Sequence, residues 1–210
     1  MSNANHSRRG LLMQRLQRSI PLFLGALLVV LYYWQKTDVE GFLEAAVNPI
    51  HNTLAACFVV LLIALSWRPK PFIRPLVLAV LAAVIINTIS MPFHGMAVLF
   101  VGGALAQYFG ANEVVAWAIS VGALSSILAM IACIIFGSTR LVNDIHGRTF
   151  LYCGIFCFFS ATPLLWEPEI ALGLHKGLWI TLLGLGLCFG VGPNEIRAHE
   201  ITHAGSQVKG

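Results

Sequence analysis

The chain has 210 residues, of which 58% are hydrophobic and 10% charged, with a formal net charge of +4. Because soluble domains typically carry about 25% charged residues, this composition excludes an ordinary soluble protein. It predicts a single all-α domain in a lipid bilayer, since apolar runs of spanning length take up most of the sequence. The positive charge lies mostly in segments expected to be cytoplasmic, so no nucleic-acid partner is expected.

Residues 1–18 form a basic segment whose arginines are Arg8, Arg9, Arg15 and Arg18. We expect this segment to lie as a cytoplasmic or interfacial helix on anionic lipid. The first membrane span is predicted from about Ser19 to Gln35, with Pro21 in the first turn, where proline is tolerated. No small-residue cleavage site follows this span, so we expect the basic segment to remain attached.

The second and third spans are predicted at about residues 52–67 and 72–91. Between them lies Arg68-Pro69-Lys70-Pro71, whose prolines and cations predict a tight charged turn. After the third span, Pro92-Phe93-His94-Gly95 is expected to break the helix.

The next apolar run, Gly95 to Gly110, is short and contains the pair Gly102-Gly103. As a helix it would measure about 24 Å, against a hydrocarbon core of about 30 Å. We therefore predict a re-entrant or half-spanning hairpin, opened by the glycine pair, with a seventh transmembrane helix as the alternative. Irregular backbone at membrane depth is tolerated only where it is buried or lines a cavity, so a hairpin would indicate a functional site.

Three further spans are predicted at about residues 114–138, 149–166 and 170–191. The predicted fold is therefore a polytopic bundle of six transmembrane helices, with a transmembrane domain at 19–192 and a cytoplasmic tail at 193–210. With both termini cytoplasmic, all 13 Lys and Arg residues except Lys36 and Lys176 lie on the cytoplasmic side, as the positive-inside rule requires. We expect the cytoplasmic (inner) membrane of a bacterium.

Polar residues in or near the spans are candidates for lining a ligand cavity. No Asp, Glu, Lys or Arg falls in the middle of a predicted span, which argues against proton-coupled chemistry. The remaining polar groups and glycines suit a neutral ligand, although bonding between helices is their ordinary role. The candidates are Asn87, Thr88, Ser90, His94, Gly102, Gly103, Gln107 and Ser125.

Two sets of histidines have the chemistry of metal ligands. His51, His94 and His175 fall at the predicted outer face, where they would either hold a divalent cation or act independently. In the tail, residues 199–203 fit H-E-x-x-H, in which His199 and His203 would share Zn²⁺ beside Glu200. Only seven residues follow, without a third ligand, so a third ligand would have to come from an upstream loop, at Asp144 or His146. We therefore expect neither a bound zinc nor another cofactor.

The last predicted span is rich in glycine and predicts a close-packing face. This face would contact either another helix of the chain or a second copy or other membrane subunit. The glycines are Gly173, Gly177, Gly184, Gly186, Gly190 and Gly192. The five cysteines all fall in predicted spans, where we interpret them as small apolar residues: Cys57, Cys133, Cys153, Cys157 and Cys188.

The leading functional prediction is a small transport protein, or the membrane subunit of a transporter, that handles a small solute at the cavity lined by the predicted hairpin. The alternative is a sensory, scaffold or assembly module that does not transport and meets its partners through the glycine-rich helix. The third hypothesis is a membrane metalloprotease acting through the tail pattern. Because no other catalytic constellation is present, we do not expect an enzyme.

Overall fold

The computed structural model describes residues 2–34, 49–110, 112–143, 145–165 and 168–191. Within these ranges the regular structure is entirely helical, which confirms the all-α prediction for this part of the chain. The elements are α1 (Ser2–Trp34), α2 (Pro49–Trp67), α3 (Ile73–Phe109), α4 (Glu113–Ser138), α5 (Gly147–Phe158), a 3₁₀ helix (Phe159–Leu165) and α6 (Pro168–Gly190).

Two helical segments in the described ranges are long and apolar enough to cross a membrane. They are α4 and the unit formed by α5 with the 3₁₀ helix, Gly147–Leu165. The other helices contain shorter apolar stretches, which overlap the predicted first, second, third and last spans: Gln17–Tyr32, Asn52–Trp67, Ile73–Ile89 and Leu174–Gly190. By length and composition, two helices therefore qualify as spanning segments.

The six α-helices of the described ranges form a closed ring. Each helix packs against its neighbours in sequence, and α6 returns to pack against α1. The buried core follows the ring, with large side chains from several helices that include Leu22, Ile63, Phe136 and Leu183. Because α6 closes the ring, it contacts both the start of the chain, through α1, and the neighbouring helix α5.

Helix α1 is continuous over 33 residues, and Pro21 lies in its interior. The predicted first-turn position of Pro21 is therefore wrong, and no helix end marks the predicted boundary after residue 18. An interior proline removes one backbone hydrogen bond and normally costs about 3 kcal/mol. The helix nevertheless continues on both sides of Pro21. At this level Leu22 is 2% exposed and packs against Gly184 of α6.

The predicted hairpin at residues 95–110 is wrong. Helix α3 runs without interruption for 37 residues, about 55 Å, through Pro92 and through Gly102-Gly103. The alternative of a separate seventh helix is not seen either, because no turn divides this run from the third span. A Cβ added at Gly102 would lie 3.4 Å from Ser120 Oγ, so this glycine lets α3 approach α4.

The turns that delimit the helices follow local sequence rules. The predicted charged turn is confirmed between α2 and α3, where Arg68 adopts a left-handed conformation with φ of 45°. Helix α3 ends at Gly110, whose φ of +60° and backbone N–H bond to Leu105 O form a left-handed cap. Asn112 then caps α4, with its side chain accepting a 2.9 Å hydrogen bond from Val114 N.

The glycines of α6 are used inside the chain, on two opposite neighbours. Gly184 lies against Leu22 of α1, and Gly177 lies against the same helix. On the other side, Gly186 lies against Cys153 of α5, and Gly190 against Thr149 of α5. The predicted close-packing role is therefore seen at these four positions, and their partners are helices of the same chain.

The five cysteines are thiols within helices, and four of them are buried. The Sγ of Cys153 lies 3.8 Å from Leu183 O, and the Sγ of Cys157 lies 3.8 Å from Trp179 O, both across the α5–α6 contact. These thiols act as weak donors to backbone carbonyl groups, in keeping with their interpretation as small packing residues.

Candidate functional site

The first half of α6 carries polar side chains that connect it to other parts of the ring. His175 and Trp179 are four residues apart, so they share one helix face, which contacts α4 and the 3₁₀ helix. Lys176 is rotated by about 100° from His175 and contacts α2. We call the two groups of bonded residues the histidine cluster and the lysine cluster.

The histidine cluster is centred on the ring of His175. Its Nδ1 lies 2.9 Å from the carbonyl oxygen of Ser160, which can only accept, so Nδ1 carries the hydrogen and donates. The Nε2 atom lies 3.5 Å from the hydroxyl of Ser125, which can donate or accept. Trp179 Nε1 donates to the carbonyl oxygen of the same serine at 3.0 Å. These contacts fix the orientation of the His175 ring between α4 and the 3₁₀ helix.

The 3₁₀ helix explains why the Ser160 carbonyl is available to His175. In a 3₁₀ helix this oxygen would accept a bond from the backbone N–H of residue 163. That residue is Pro163, which has no N–H, so the carbonyl is left for a side-chain donor. Ser160 itself is fully buried, and its Oγ donates to Cys157 O at 2.6 Å.

The lysine cluster lies where α6 faces the start of α2. Lys176 Nζ donates to Asn52 Oδ1 at 3.2 Å, and its side chain is half-buried. On the next residue of α2, Thr53 Oγ1 accepts a 3.0 Å hydrogen bond from Asn87 Nδ2 of α3. Side chains of α2, α3 and α6 therefore meet near the N-terminal end of α2.

Sequence reasoning missed Lys176 as a site residue, because it was counted with the outer connections. Its position carried a signal: it is the seventh residue of the predicted span 170–191, inside the apolar run rather than beside it. An ionisable side chain within an apolar helix is costly and usually marks a ligand or ion pathway.

Of the predicted cavity residues, Asn87 and Ser125 belong to the two clusters. Thr88, directly after Asn87, instead donates to Val84 O of its own helix at 2.8 Å and is exposed. It therefore takes part in neither cluster.

The candidates at the end of α3 lie apart from the clusters. Gly102 packs against α4, as described above, whereas Gly103 and Gln107 are exposed. The side chains of Ser90 and His94 lie outside the described residues. Among the members whose side chains are described, Asn87 and Ser125 lie in different clusters.

Of the histidines predicted as metal ligands, His175 is the one whose side chain the structure describes. Both ring nitrogens of His175 face polar atoms of the chain, so its hydrogen-bonding capacity is used within the bundle. The side chains of His51 and His94, and the tail with His199 and His203, lie outside the described residues. Among the residues the structure describes, no three His, Cys, Asp or Glu side chains come close enough to hold a metal ion.

The pair of Ser125 and His175 has the connectivity of a nucleophile and its base. A serine hydroxyl beside a histidine that is oriented from its other nitrogen is the arrangement used in nucleophilic catalysis. Ser125 is only 3% exposed, however, so a substrate has no access to its hydroxyl. The pair therefore serves to join α4 to α6.

Comparison with known protein families, with curated proteins and with solved structures finds no match to this chain.

Proposed function

We propose that the chain is a six-span integral membrane protein of the bacterial cytoplasmic membrane, with both termini cytoplasmic. Its proposed activity is that of a small transport protein, or the membrane subunit of a transporter, which binds a small polar solute at the lysine cluster. The closed ring of six helices supports the first part, since each α-helix contributes to an apolar wall around the same core.

The observation that carries the solute site is the half-buried ammonium of Lys176. It lies within an apolar helix and donates to Asn52 of α2, whose next residue, Thr53, is bonded to Asn87 of α3. Amide, hydroxyl and ammonium groups together offer donors and acceptors to a small polar molecule. We therefore place the solute site at the contact between α2, α3 and α6, and no longer at residues 95–110, where the sequence predicted a hairpin.

The orientation follows from the cations of the connections. With six crossings, the turn at residues 68–72 and the connection at residues 139–146 lie on the same face as both termini. The cations of these connections and the adjoining helix starts are Arg68, Lys70, Arg74, Arg140 and Arg148. This distribution supports a cytoplasmic location for that face.

The second candidate is an assembly module that does not transport. The glycine-rich α6 no longer favours it, because the four glycines described above pack within the chain. What favours it is the apolar surface at the end of α3, where Phe100 is 74% exposed and Tyr108 is 77% exposed. The third candidate, a metalloprotease, depends wholly on the tail beyond the described residues.

The solute site is tested with protein purified in detergent and screened by thermal unfolding against small polar solutes. The screen uses chloride, phosphate, acetate, glycine and urea, because a solute that binds only the folded state raises its stability. We expect at least one solute to stabilise the native protein, and Lys176→Met to abolish that effect. The matched control is Lys70→Met, which removes an exposed lysine from the α2–α3 turn.

Uptake of the stabilising solute into proteoliposomes then separates transport from binding. Uptake that is lost in Lys176→Met and kept in Lys70→Met supports a transporter. Binding without uptake would favour a sensory module. A solute that stabilises both variants as well as the native protein would remove the lysine cluster from consideration.

A further inference from the structure

A groove of about 560 Å³ lies along the contact between α4 and α5. Ser126 and Met130 of α4 form one wall, and residues of α5 from Gly147 to Phe158 form the other. Outward-facing apolar side chains border the groove, among them Leu151, which is 60% exposed. The groove therefore opens to the surroundings of the bundle, away from the lysine cluster.

Glycine makes the floor of this groove. A Cβ added at Gly154 would lie 3.1 Å from Ser126 Oγ and 3.9 Å from Met130 Cγ, so α5 lies close to α4 at this level. Phe150 and Phe158 stand on either side of Gly154 along α5, about one helical turn away in each direction. A small residue between two large ones leaves a narrow apolar channel.

The length of the groove matches one leaflet of a bilayer. From Gly147 to Phe158, α5 rises by about 17 Å, whereas half of the hydrocarbon core measures about 15 Å. A groove of this length accommodates the part of one acyl chain that extends from the headgroup region to the bilayer centre.

Positive charge is found at the Gly147 end of the groove. Arg148 directly follows the lining residue Gly147, and Arg140 lies in the short connection that joins α4 to α5. Both arginines are exposed, and both fall on the face proposed to be cytoplasmic. Cations at that face attract the anionic lipids of the inner leaflet.

We propose that this groove binds one acyl chain of an anionic phospholipid of the cytoplasmic leaflet, with the lipid phosphate at Arg148 and Arg140. The proposal rests on the membrane placement given above and is independent of the solute site. It identifies the occupant by the apolar channel of one-leaflet length and by the cations at its cytoplasmic end.

The test measures lipid binding to the full-length protein in detergent by native mass spectrometry and by thermal unfolding. Phosphatidylglycerol is compared with phosphatidylcholine of the same acyl chains. We expect tighter binding of phosphatidylglycerol, weakened about fivefold by Arg148→Gln and about 25-fold by the double change with Arg140→Gln. The control is Arg74→Gln, which removes an exposed arginine from the same proposed face and should leave binding unchanged.

A second variant tests the acyl-chain channel itself. Leu151→Trp fills the groove and should weaken binding of both lipids, whereas Ile127→Trp, at an exposed position of α4 outside the groove lining, should not. If Leu151→Trp does not fold, the comparison of the double arginine variant with Arg74→Gln still decides.

Three results would overturn the proposal: equal affinity of the native protein for the two lipids, equal losses in the double arginine variant and in Arg74→Gln, or full stabilisation by glycerol phosphate alone. Loss of solute stabilisation in Lys176→Met bears only on the lysine cluster. The two proposals can therefore fail separately.

Discussion

Helix α6 approaches α5 so closely at Gly186 that even one methyl group should disturb the ring. A Cβ at this position would lie 2.7 Å from Cys153 Cα and 2.8 Å from Cys153 N. Carbon atoms in contact prefer about 3.5–4.0 Å, so the two helices must move apart by roughly 1 Å. Because the clash is with backbone atoms, no side-chain rotation relieves it.

Gly186→Ala should therefore lower the stability of the protein. Overpacking of this kind costs about 1–3 kcal/mol, and the higher helix propensity of alanine offsets up to about 1 kcal/mol of that cost. We expect a net loss of about 1–2 kcal/mol. In a chain of this length each kcal/mol lowers the melting temperature by about 2–4 °C.

The assay is thermal unfolding in one detergent at one scan rate, because irreversible unfolding makes the apparent melting temperature depend on the rate. The matched control is Gly103→Ala in α3, another helical glycine, where an added Cβ meets no atom within 4 Å. We expect this control to melt at or above the native temperature. If Gly186→Ala melts as high as Gly103→Ala, the close approach of α5 and α6 is refuted.

Three further predictions concern the contact between α4 and α6, the tail and the membrane topology. Trp179→Phe removes the hydrogen bond to the Ser125 carbonyl and should lower the stability by about 1 kcal/mol in thermal unfolding. The control, Trp117→Phe at an exposed position, should lower it less, and equal losses of stability would contradict this role of Trp179. Purified protein should contain no stoichiometric zinc, and His203→Ala should not change its metal content. One zinc per chain by elemental analysis, lost in His203→Ala, would revive the protease hypothesis. Cysteines introduced at residues 70 and 112 should be labelled from opposite faces of the membrane, since α3 crosses once between them; labelling from one face would contradict the six-span topology.

The sequence by itself determined which stretches are apolar helix and where most helices begin and end. The charged turn after Trp67, the start of α4 after Asn112 and its end at Ser138 follow from proline, capping and composition. These features depend on interactions within a few residues, and local sequence reports such interactions directly. The packing role of the α6 glycines was also readable, because small residues at helical spacing have one main use in apolar surroundings.

Only the tertiary structure decided which residues lie together. It shows α3 continuing through Gly102-Gly103, where Gly102 packs against Ser120 of α4. It brought Lys176 to Asn52, 124 residues away along the chain, and His175 to Ser125, 50 residues away. It also brought His175 to Ser160 of the 3₁₀ helix. Apolar periodicity cannot distinguish a face covered by lipid from one covered by another helix, so the partners of α6 follow only from the closure of the ring.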